Sequence, residues 1–319
     1  MISVNELEVK IEHYPDGTPR INLDVDDIPD FTDGATSYMH IRWKYENDAE
    51  LMYLIMIKKH LDANLANTTY LLTIAFCPNS RMDRTHNDYE VFTLKYFCDV
   101  INSLNFSRVF VLDAHSNVSV ALLNNCVNMN PQKYIQQAVD EIKNENGTMV
   151  EVSVVADDTE IANDNEENNV VVPSEPIKEL VFDDDRLVLY FPDYSASKRY
   201  SDIFPQYKYC FGEKKRDWET GKILGIDIRT NGIDLENKIV LVLDDLISYG
   251  GSIHYGVQEL MNYKPEKIYA YATHCENSVL DKEKGTLIKD LENNTVERLF
   301  TTDSLFTGKH EKIKVMEVY

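Results

Sequence analysis

Two adjacent carboxylates, Asp244 and Asp245, stand at the end of the apolar run KIVLVL and shortly before the glycine pair Gly250 and Gly251. The run is typical of a strand buried on both faces, and open α/β sheets bind their ligands at such strand ends. Glycines let the backbone approach a ligand closely, and the N–H groups at the start of a following helix can bind an anion. We expect the amides to hold a phosphate and the carboxylates to hold ribose hydroxyls; the alternative is a solvated turn.

Four other clusters of polar side chains follow predicted strands. They comprise Arg81, Asp83 and Arg84; Asp113 and His115; Asp193 with Ser195, Ser197, Lys198 and Arg199; and Lys214, Lys215 and Arg216. Taken singly, such groups are usually surface features, because charged side chains are mostly exposed. Since the carboxyl ends of parallel strands lie along one edge of a sheet, the five clusters together predict a ligand site at that edge.

The intervening sequence predicts the elements that position these residues. Apolar spacing, with Asn47 or Asp48 as a cap, predicts a helix over 47–63, and a second amphipathic helix is predicted over 91–104. Buried strands are predicted over 70–76, 108–115, 186–193, 239–243 and 267–275, with the tail KIKVMEVY as a last strand. Alternating strands and helices are typical of an α/β protein with mainly parallel sheets flanked by helices.

The composition argues against several classes of partner. The 319 residues, 43% of them hydrophobic, suffice for two domains. A net charge of −22 argues against a nucleic-acid partner, so an anionic substrate must be met by a local basic cluster or by Mg²⁺. Five cysteines without a CxxC pair predict a reducing, cytoplasmic location, in the host if the source is a virus. The charged start is not typical of a signal peptide, and no apolar run reaches membrane-spanning length.

Residues 144–180 differ in composition from the rest of the chain. The segment is acidic and rich in asparagine, with VEVSVV and NVVVPS on its two sides. This pattern predicts a protruding hairpin or a partly disordered insert, with its charges on a solvated face. We expect the insert to be peripheral to the ligand site.

The polar clusters, taken in order, resemble the motifs of the ribose-phosphate pyrophosphokinases, also called PRPP synthetases. The family's Arg-Gln-Asp-Arg motif is similar to RMDR at 81–84, and its Asp-x-His motif to LDAH at 112–115. Its Ser-Pro-Asp loop resembles FPD at 191–193, its Lys-Arg-Arg loop resembles Lys214–Arg216, and its ribose-phosphate loop resembles Asp244–Ser252. YATH at 271–274 and FTTDS at 300–304 also have counterparts. The resemblance covers nearly the whole chain in the family's order.

The resemblance implies two domains of the phosphoribosyltransferase type. The first domain is expected over 1–135, together with the tail 306–319, and would hold ATP. The second domain is expected over 136–305; it would hold the acceptor and contain the insert. The implied reaction transfers the β,γ-diphosphate of MgATP to the anomeric hydroxyl of ribose 5-phosphate, with catalysis mostly by positioning and charge neutralisation. A homo-oligomer, either a dimer or a hexamer, is implied, with no nucleic-acid or membrane partner.

Position by position, the resemblance assigns each cluster a role. ATP would be held by Arg81, Asp83, Arg84 and His115, and by Asp16 of a neighbouring subunit. Mg²⁺ would be bound by His115 and Asp193, and the catalytic cations that hold the transferring group would be Lys214 and Arg216. The acceptor would be bound by Asp244, Asp245, Ser248, Tyr249, Gly250, Gly251 and Ser252. In this last set, the carboxylates would bind the ribose hydroxyls and the amides of residues 249–252 the 5-phosphate. A histidine ligand is unusual for so hard an ion as Mg²⁺.

Several positions depart from the family's pattern. They are Met82 in place of Gln, Ser195 and Ala196 in place of paired glycines, Tyr14 and Thr18 in place of Phe and Glu, and Ser248 and Tyr249 in place of Asp and Thr. A small hydroxyl suits an enclosed terminal phosphate, whereas the ring of Tyr249 either blocks that pocket or offers a surface to a group attached to the phosphate. This favours ADP-ribose over ribose 5-phosphate as the acceptor, giving ADP-ribose pyrophosphate for NAD synthesis, as relatives of this family do in virus-infected bacteria.

Two alternatives of other classes remain open. A phosphoribosyltransferase shares the acidic pair and the glycine loop, but it has no use for RMDR and DAH in a preceding α/β half. A catalytically inactive regulatory homologue is favoured by Met82 and by the lost glycines, and opposed by the retained Lys214 and Arg216.

Overall fold

The computed structural model describes residues 1–29, 31–33, 36–152, 177–216 and 223–319. The first half contains strands β1 (Ile2–Val4), β2 (Leu7–Glu8), β3 (Lys10–His13), β4 (Pro19–Asn22), β5 (Phe31–Asp33), β6 (Thr36–Trp43), β7 (Thr68–Ile74), β8 (Arg108–Leu112) and β9 (Cys126–Met129). Its helices are α1 (Ala49–Asn64), α2 (Thr93–Ser103), α3 (Asn117–Leu122) and α4 (Gln132–Asn146).

The second half contains strands β10 (Thr148–Val152), β11 (Ile177–Val181), β12 (Leu187–Phe191), β13 (Lys208–Arg216), β14 (Ile223–Arg229), β15 (Ile239–Ile247), β16 (Lys267–Cys275), β17 (Leu299–Thr302) and β18 (Ile313–Met316). Its helices are α5 (Tyr194–Tyr200), α6 (Gly251–Leu260) and α7 (Leu287–Glu292). Single 3₁₀ turns follow several of these elements, among them Asn277–Leu280 after β16.

The first sheet has the strand order β2-β1-β6-β7-β8-β9, with β5 also paired to β6. Strands β6 to β9 run parallel, and β1 and β5 are antiparallel to β6. Helix α1 buries Leu54, Ile57 and Leu61 in a core that includes Ile41 and Leu72 of the sheet. The predicted helix over 47–63 and the predicted strand over 70–76 correspond to α1 and β7, because their apolar spacing matches the faces that are buried.

The second sheet has the order β14-β13-β12-β15-β16-β17-β18, and its strands are parallel except that β14 is antiparallel to β13. Along β15, Val240 and Val242 enter one core cluster while Leu241 and Leu243 enter another on the opposite face. Both faces are therefore covered, which explains the uninterrupted apolar run in the sequence. The predicted α/β class with mainly parallel sheets is confirmed.

The ends of the predicted insert form a separate two-stranded sheet, in which β10 and β11 pair antiparallel from Thr148 opposite Val181 to Val152 opposite Ile177. This is the base of a hairpin, as one form of the prediction required. Residues 153–176, which make up most of the predicted insert, lie outside the described residues.

The tail forms a last strand, as its sequence predicts. Strand β18 pairs parallel with β17 in the second sheet, with Ile313 opposite Leu299 and Met316 opposite Thr302. Ile313 packs in a core of the second half, and Met316 packs in a core that residues of both halves share. The end of the tail contacts the first half, because Tyr134 donates to the carbonyl of Val318 at 2.9 Å and the cations of Arg42 and Lys44 lie over the ring of Tyr319. The exact domain boundaries stay a prediction.

Among the described residues, the longest apolar helical stretches fall short of what a membrane crossing requires.

Candidate active site

The carboxyl ends of the two sheets meet at a contact between His115 and Asp245. His115 follows β8 of the first sheet, and its Nδ1 lies 2.5 Å from Oδ2 of Asp245 in β15 of the second sheet. Arg199 of α5 completes the group, with Nη1 at 2.8 Å from the same carboxylate oxygen. Its Nη2 donates to the backbone carbonyl of His115 at 2.6 Å. Three of the predicted clusters are therefore brought together in one site.

The pKa values of the two adjacent carboxyl groups of β15 shift in opposite directions. Burial alone would raise the pKa of Asp245, but the hydrogen bond from His115 and the charge of Arg199 hold that pKa well below its usual range. Burial raises the pKa of Asp244 well above its usual range, and the neighbouring Asp245 and Asp193 act in the same direction. The two carboxyl groups therefore differ in proton affinity, and the oxygens of both can accept hydrogen bonds from the hydroxyls of a diol.

The loop after β15 has the geometry of an anion cradle. Gly250 has φ of +88°, and a Cβ at this position would lie 2.3 Å from Cβ of Leu287, so only glycine fits. Gly251 begins α6, whose first turn has no side-chain cap. The carbonyl of Tyr249 is held by the amide and the hydroxyl of Thr286 at 2.9 and 3.0 Å. The loop is thus anchored from behind, while the first amides of α6 are left for a ligand.

Ser248 is the first residue of this loop, and its hydroxyl donates to Oε2 of Glu276 at 2.7 Å. Ser278 donates to the same oxygen at 3.0 Å. Nη2 of Arg81 lies 2.8 Å from Oε1 of Glu276, so Glu276 links the predicted ATP loop of the first half to the predicted phosphate loop of the second. Sequence reasoning missed Glu276; the available signal was its position one residue beyond β16, the neighbour of β15.

The remaining residues of RMDR lie near His115. Asp83 accepts from Nε of Arg84 at 2.8 Å. The pKa of Asp83 is lowered first by this bond, and further by a hydrogen bond from Ser116 and by the charge of His115. The side chain of Arg84 is 73% exposed. Asp83 thus lies beside the DAH motif, and Arg84 points its exposed cation to solvent where a nucleotide could bind.

Asp193 caps the helix that carries Arg199. Its Oδ1 accepts from the amides of Ser195 and Ala196, both at 3.0 Å, so α5 starts directly after the predicted pyrophosphate loop. The charge of Asp193 contributes to the raised pKa of Asp244, after burial and the neighbouring Asp245.

A metal site is not preassembled in the part of the chain that the structure describes, since no cluster there holds three or more His, Cys, Asp or Glu side chains. The donor chemistry of the two predicted ligands still fits a cation bound together with a substrate. His115 uses Nδ1 for Asp245 and can offer Nε2, an arrangement in which a carboxylate orients a ligating histidine. Mg²⁺ bound through one or two side chains and substrate phosphates needs no all-protein cage.

A buried polar network fastens the two halves together behind this cluster. Asp113, the first residue of DAH, has φ of +42° and accepts hydrogen bonds from Tyr200 and Thr273 of the second half. Burial raises the pKa of Asp113 to about 6. His274, whose pKa burial lowers to about 4, bonds Ser304 at 2.8 Å. The motifs YATH and FTTDS therefore serve this junction.

Two predicted groups are not joined to the cluster. Asp16 lies in the exposed turn between β3 and β4 and accepts from the amide of Thr18 at 2.9 Å; among the described side chains, no hydrogen bond or ion pair connects it to the site. The backbone of Lys214 and Arg216 lies in β13, opposite Ile226 and Ile223 of β14. Their side chains are outside the described part of the structure, so their catalytic role stays a prediction.

Comparison with known proteins gives a consistent result. No model of a protein family matches the chain. The chain is 33% identical to the ribose-phosphate pyrophosphokinase of Thermoplasma acidophilum over 115 residues, 35% of each protein. It is 30% identical to that of Thermotoga maritima over 86 residues, 27% of this chain and 25% of the relative. With that of Vibrio cholerae it shares 28% over 76 residues, 24% of this chain. The matched stretches thus span only 22% to 35% of these relatives.

The fold is similar over a longer range. The crystal structure of phosphoribosylpyrophosphate synthetase from Mycobacterium smegmatis superposes with a TM-score of 0.64 and 15% identity, covering 98% of this chain and 86% of that one. At this identity the likeness shows the fold alone. Together, sequence and fold confirm the predicted resemblance to the ribose-phosphate pyrophosphokinases.

Proposed function

We propose that this chain, a relative of the ribose-phosphate pyrophosphokinases, transfers the β,γ-diphosphate of MgATP to the anomeric hydroxyl of a ribose-5-phosphoryl acceptor and releases AMP. The contact of His115 with Asp245 carries the proposal, because it unites the predicted ATP motif of one half with the predicted ribose motif of the other. A phosphoribosyltransferase would require no such partner half, so this contact favours the pyrophosphokinase over that alternative.

On the acceptor side, Asp244 and Asp245 lie at the end of β15 and would bind the 2- and 3-hydroxyls of the ribose. Asp245 is fixed from behind by His115 and Arg199, which leaves Asp244 as the more adaptable partner. The amides that begin α6 would bind the 5-phosphate. Held at both ends, the sugar can present its anomeric oxygen to a nucleotide that lies on the first half.

On the nucleotide side, the exposed guanidinium groups of Arg81 and Arg84 would bind ATP together with His115 and Asp83, and Asp16 would reach the adenine from a neighbouring subunit of a homo-oligomer. The anomeric oxygen attacks the β-phosphorus, the bond between that phosphorus and the oxygen bridging to the α-phosphate breaks, and AMP departs with the bridging oxygen. The hydroxyl proton passes to solvent. Lys214 and Arg216 would neutralise charge on the transferring diphosphate, where most of the rate enhancement arises.

Mg²⁺ would be held by Asp193 and His115 together with ATP phosphates. When bound, it supplies neutralisation of the phosphate charge. Asp193 would keep Oδ1 on the start of α5, so the same carboxylate sets both the helix and the cation site. Asp245 orients the imidazole of His115 toward that space.

For the acceptor we propose ADP-ribose, with ribose 5-phosphate as the alternative. The side chain of Tyr249 is 38% exposed, which supports an outward orientation of its ring rather than one that fills the phosphate pocket. Nζ of Lys284 lies 6.0 Å from the centre of that ring. An aromatic face beside a cation suits an adenine linked through a diphosphate.

The test measures the release of AMP from MgATP by ion-exchange chromatography, in the presence of either acceptor. ATP labelled at the γ-phosphate shows where the transferred group goes. We expect label in a new pyrophosphorylated sugar and no release of free diphosphate. A higher kcat/KM with ADP-ribose supports the finer proposal, whereas turnover of ribose 5-phosphate alone identifies a PRPP synthetase. If neither acceptor yields AMP, the inactive regulatory homologue replaces the proposal.

A further inference from the structure

Glu276 occupies the donors that a phosphate would otherwise use. Its two carboxylate oxygens take the hydroxyls of Ser248 and Ser278 and the guanidinium of Arg81, at 2.7, 3.0 and 2.8 Å. Ser248 is the first residue of the predicted phosphate loop, Ser248–Ser252. The carboxylate of Glu276 therefore contacts the loop in which the 5-phosphate of the acceptor would bind.

The position of Glu276 is set by the sheet and not by a flexible loop. Ile247 and Cys275 are the last paired residues of β15 and β16, so Ser248 and Glu276 are the next residues on neighbouring strands. The amide of Glu276 also donates to the carbonyl of Ile247 at 2.8 Å. The side chain of Glu276 is partly exposed, with 34% of it accessible. The sheet thus fixes the backbone of Glu276 beside Ser248, and three polar contacts hold its carboxylate there.

We propose that Glu276 is a specificity-determining residue that disfavours a terminal phosphate in the Ser248–Ser252 loop and so selects acceptors whose 5-phosphate is esterified. The proposal rests on the proposed function and names the substrate class for its acceptor site. A phosphate monoester has a second pKa of about 6 and three terminal oxygens, so near neutral pH it carries close to two charges and requires many donors.

A 5-phosphate within a diphosphate bridge presents less charge at the loop. It has two non-bridging oxygens and a single charge of its own, and the second charge lies on the distal phosphate. Repulsion by the carboxylate of Glu276 is therefore smaller, and the amides of α6 suffice as donors. Nζ of Lys284 lies 6.0 Å from the centre of the ring of Tyr249, and this pair would receive the distal group. Glu276 thus acts against one class of ligand, which is how specificity is often achieved.

The experiment replaces Glu276 by glutamine, which keeps the shape and an acceptor oxygen for Ser248 but removes the charge. We expect kcat/KM for ribose 5-phosphate to rise about tenfold, while that for ADP-ribose changes less than about threefold. The matched control is Glu292→Gln, because Glu292 is an exposed glutamate at the end of α7, outside the network. The control should leave both values unchanged. An unchanged ratio in Glu276→Gln, or an equal effect of the control, would overturn the proposal.

A direct binding measurement keeps this proposal separate from the proposed reaction. Isothermal titration of ribose 5-phosphate into the full chain, without ATP, should show about tenfold tighter binding to Glu276→Gln than to the wild type. If no AMP forms with any acceptor but this difference in affinity is found, the reaction is wrong and the role of Glu276 stands. If affinity is equal in both proteins, or absent from both, the role of Glu276 is refuted. Glu276→Ala gives the same comparison should the glutamine variant not fold.

Discussion

The hydroxyl of Tyr200 donates to Oδ2 of Asp113 at 2.7 Å, and this bond links the second half of the chain to the first beneath the site. Both residues are buried, and Thr273 donates to the same oxygen. Their interaction places the start of the DAH segment against α5, the helix that brings Arg199 to Asp245. The stability of this junction and the geometry of the site should therefore change together.

The buried carboxyl of Asp113 should make stability depend on pH. Burial raises its pKa in the folded protein to about 6, above the value of about 3.9 in an unfolded chain. The folded state then binds the proton more tightly, so this group's contribution favours folding at low pH and is lost as the pH rises through 4 to 6. Relative to Asp113→Asn, the wild type should lose on the order of 2 kcal/mol of unfolding free energy across that window. Urea melts of both proteins at several pH values test this, and parallel stability curves would contradict it.

Asp244→Asn should weaken binding of the acceptor far more than binding of ATP. Asp244 lies in the last part of β15 beside Asp245, and the proposed site gives it contact with ribose alone. We expect the KM of the acceptor to rise at least about tenfold, equivalent to 1.4 kcal/mol, with the KM of ATP nearly unchanged. Comparable changes for both substrates would argue against the assignment. Glu292→Gln again provides a control, since it makes the same change from acid to amide outside the site.

Lys214→Ala should remove most turnover and leave the affinity for ATP nearly intact. A cation that contacts the transferring group chiefly in the transition state contributes to kcat and little to ground-state binding. The measurement is kcat together with the Kd of MgATP from equilibrium titration. Lys208→Ala is a suitable control, because Lys208 begins the same strand and pairs with Asp185. A kcat within a few-fold of the wild type would show that the motif was misaligned.

Tyr249→Thr should move acceptor preference toward ribose 5-phosphate. The substitution restores a small hydroxyl near the terminal phosphate and removes the ring that ADP-ribose would use; losing a hydrogen bond or a stacked base costs about 1–3 kcal/mol. We expect the ratio of the two kcat/KM values to shift about tenfold, with or without Ser248→Asp. If the ratio stays constant or shifts toward ADP-ribose, Tyr249 has only a structural role.

Much of the sheet architecture was predictable, because the buried strands are short apolar runs bounded by polar residues. The runs at β7, β8, β12, β15 and β16 were all recognised in this way. The grouping of His115 with Asp245 was partly predictable, since both follow parallel strands. Their direct contact was not, because it depends on how two separate sheets pack against one another, and residues 130 positions apart carry no local signal.

Glu276 and the tail show why the rest could not be predicted. An acidic residue after a strand is common in solvated turns, so its type alone gave no reason to select it; its importance comes from the parallel register that places it beside Ser248. The tail was recognised as a strand, but its pairing with β17 carries no local signal in the sequence.

The ladder between β10 and β11 has a consequence for engineering and for evolution. Because Val152 and Ile177 are directly paired, the chain leaves and re-enters the fold at adjacent points. The entropy of closing a loop grows only slowly with length, by about 0.6 kcal/mol for each doubling. A guest domain whose own termini lie close together, such as a fluorescent reporter, could therefore replace residues 153–176 at small cost. The same property frees this stretch to drift in sequence, or to acquire a new binding partner, while the rest of the fold stays constant.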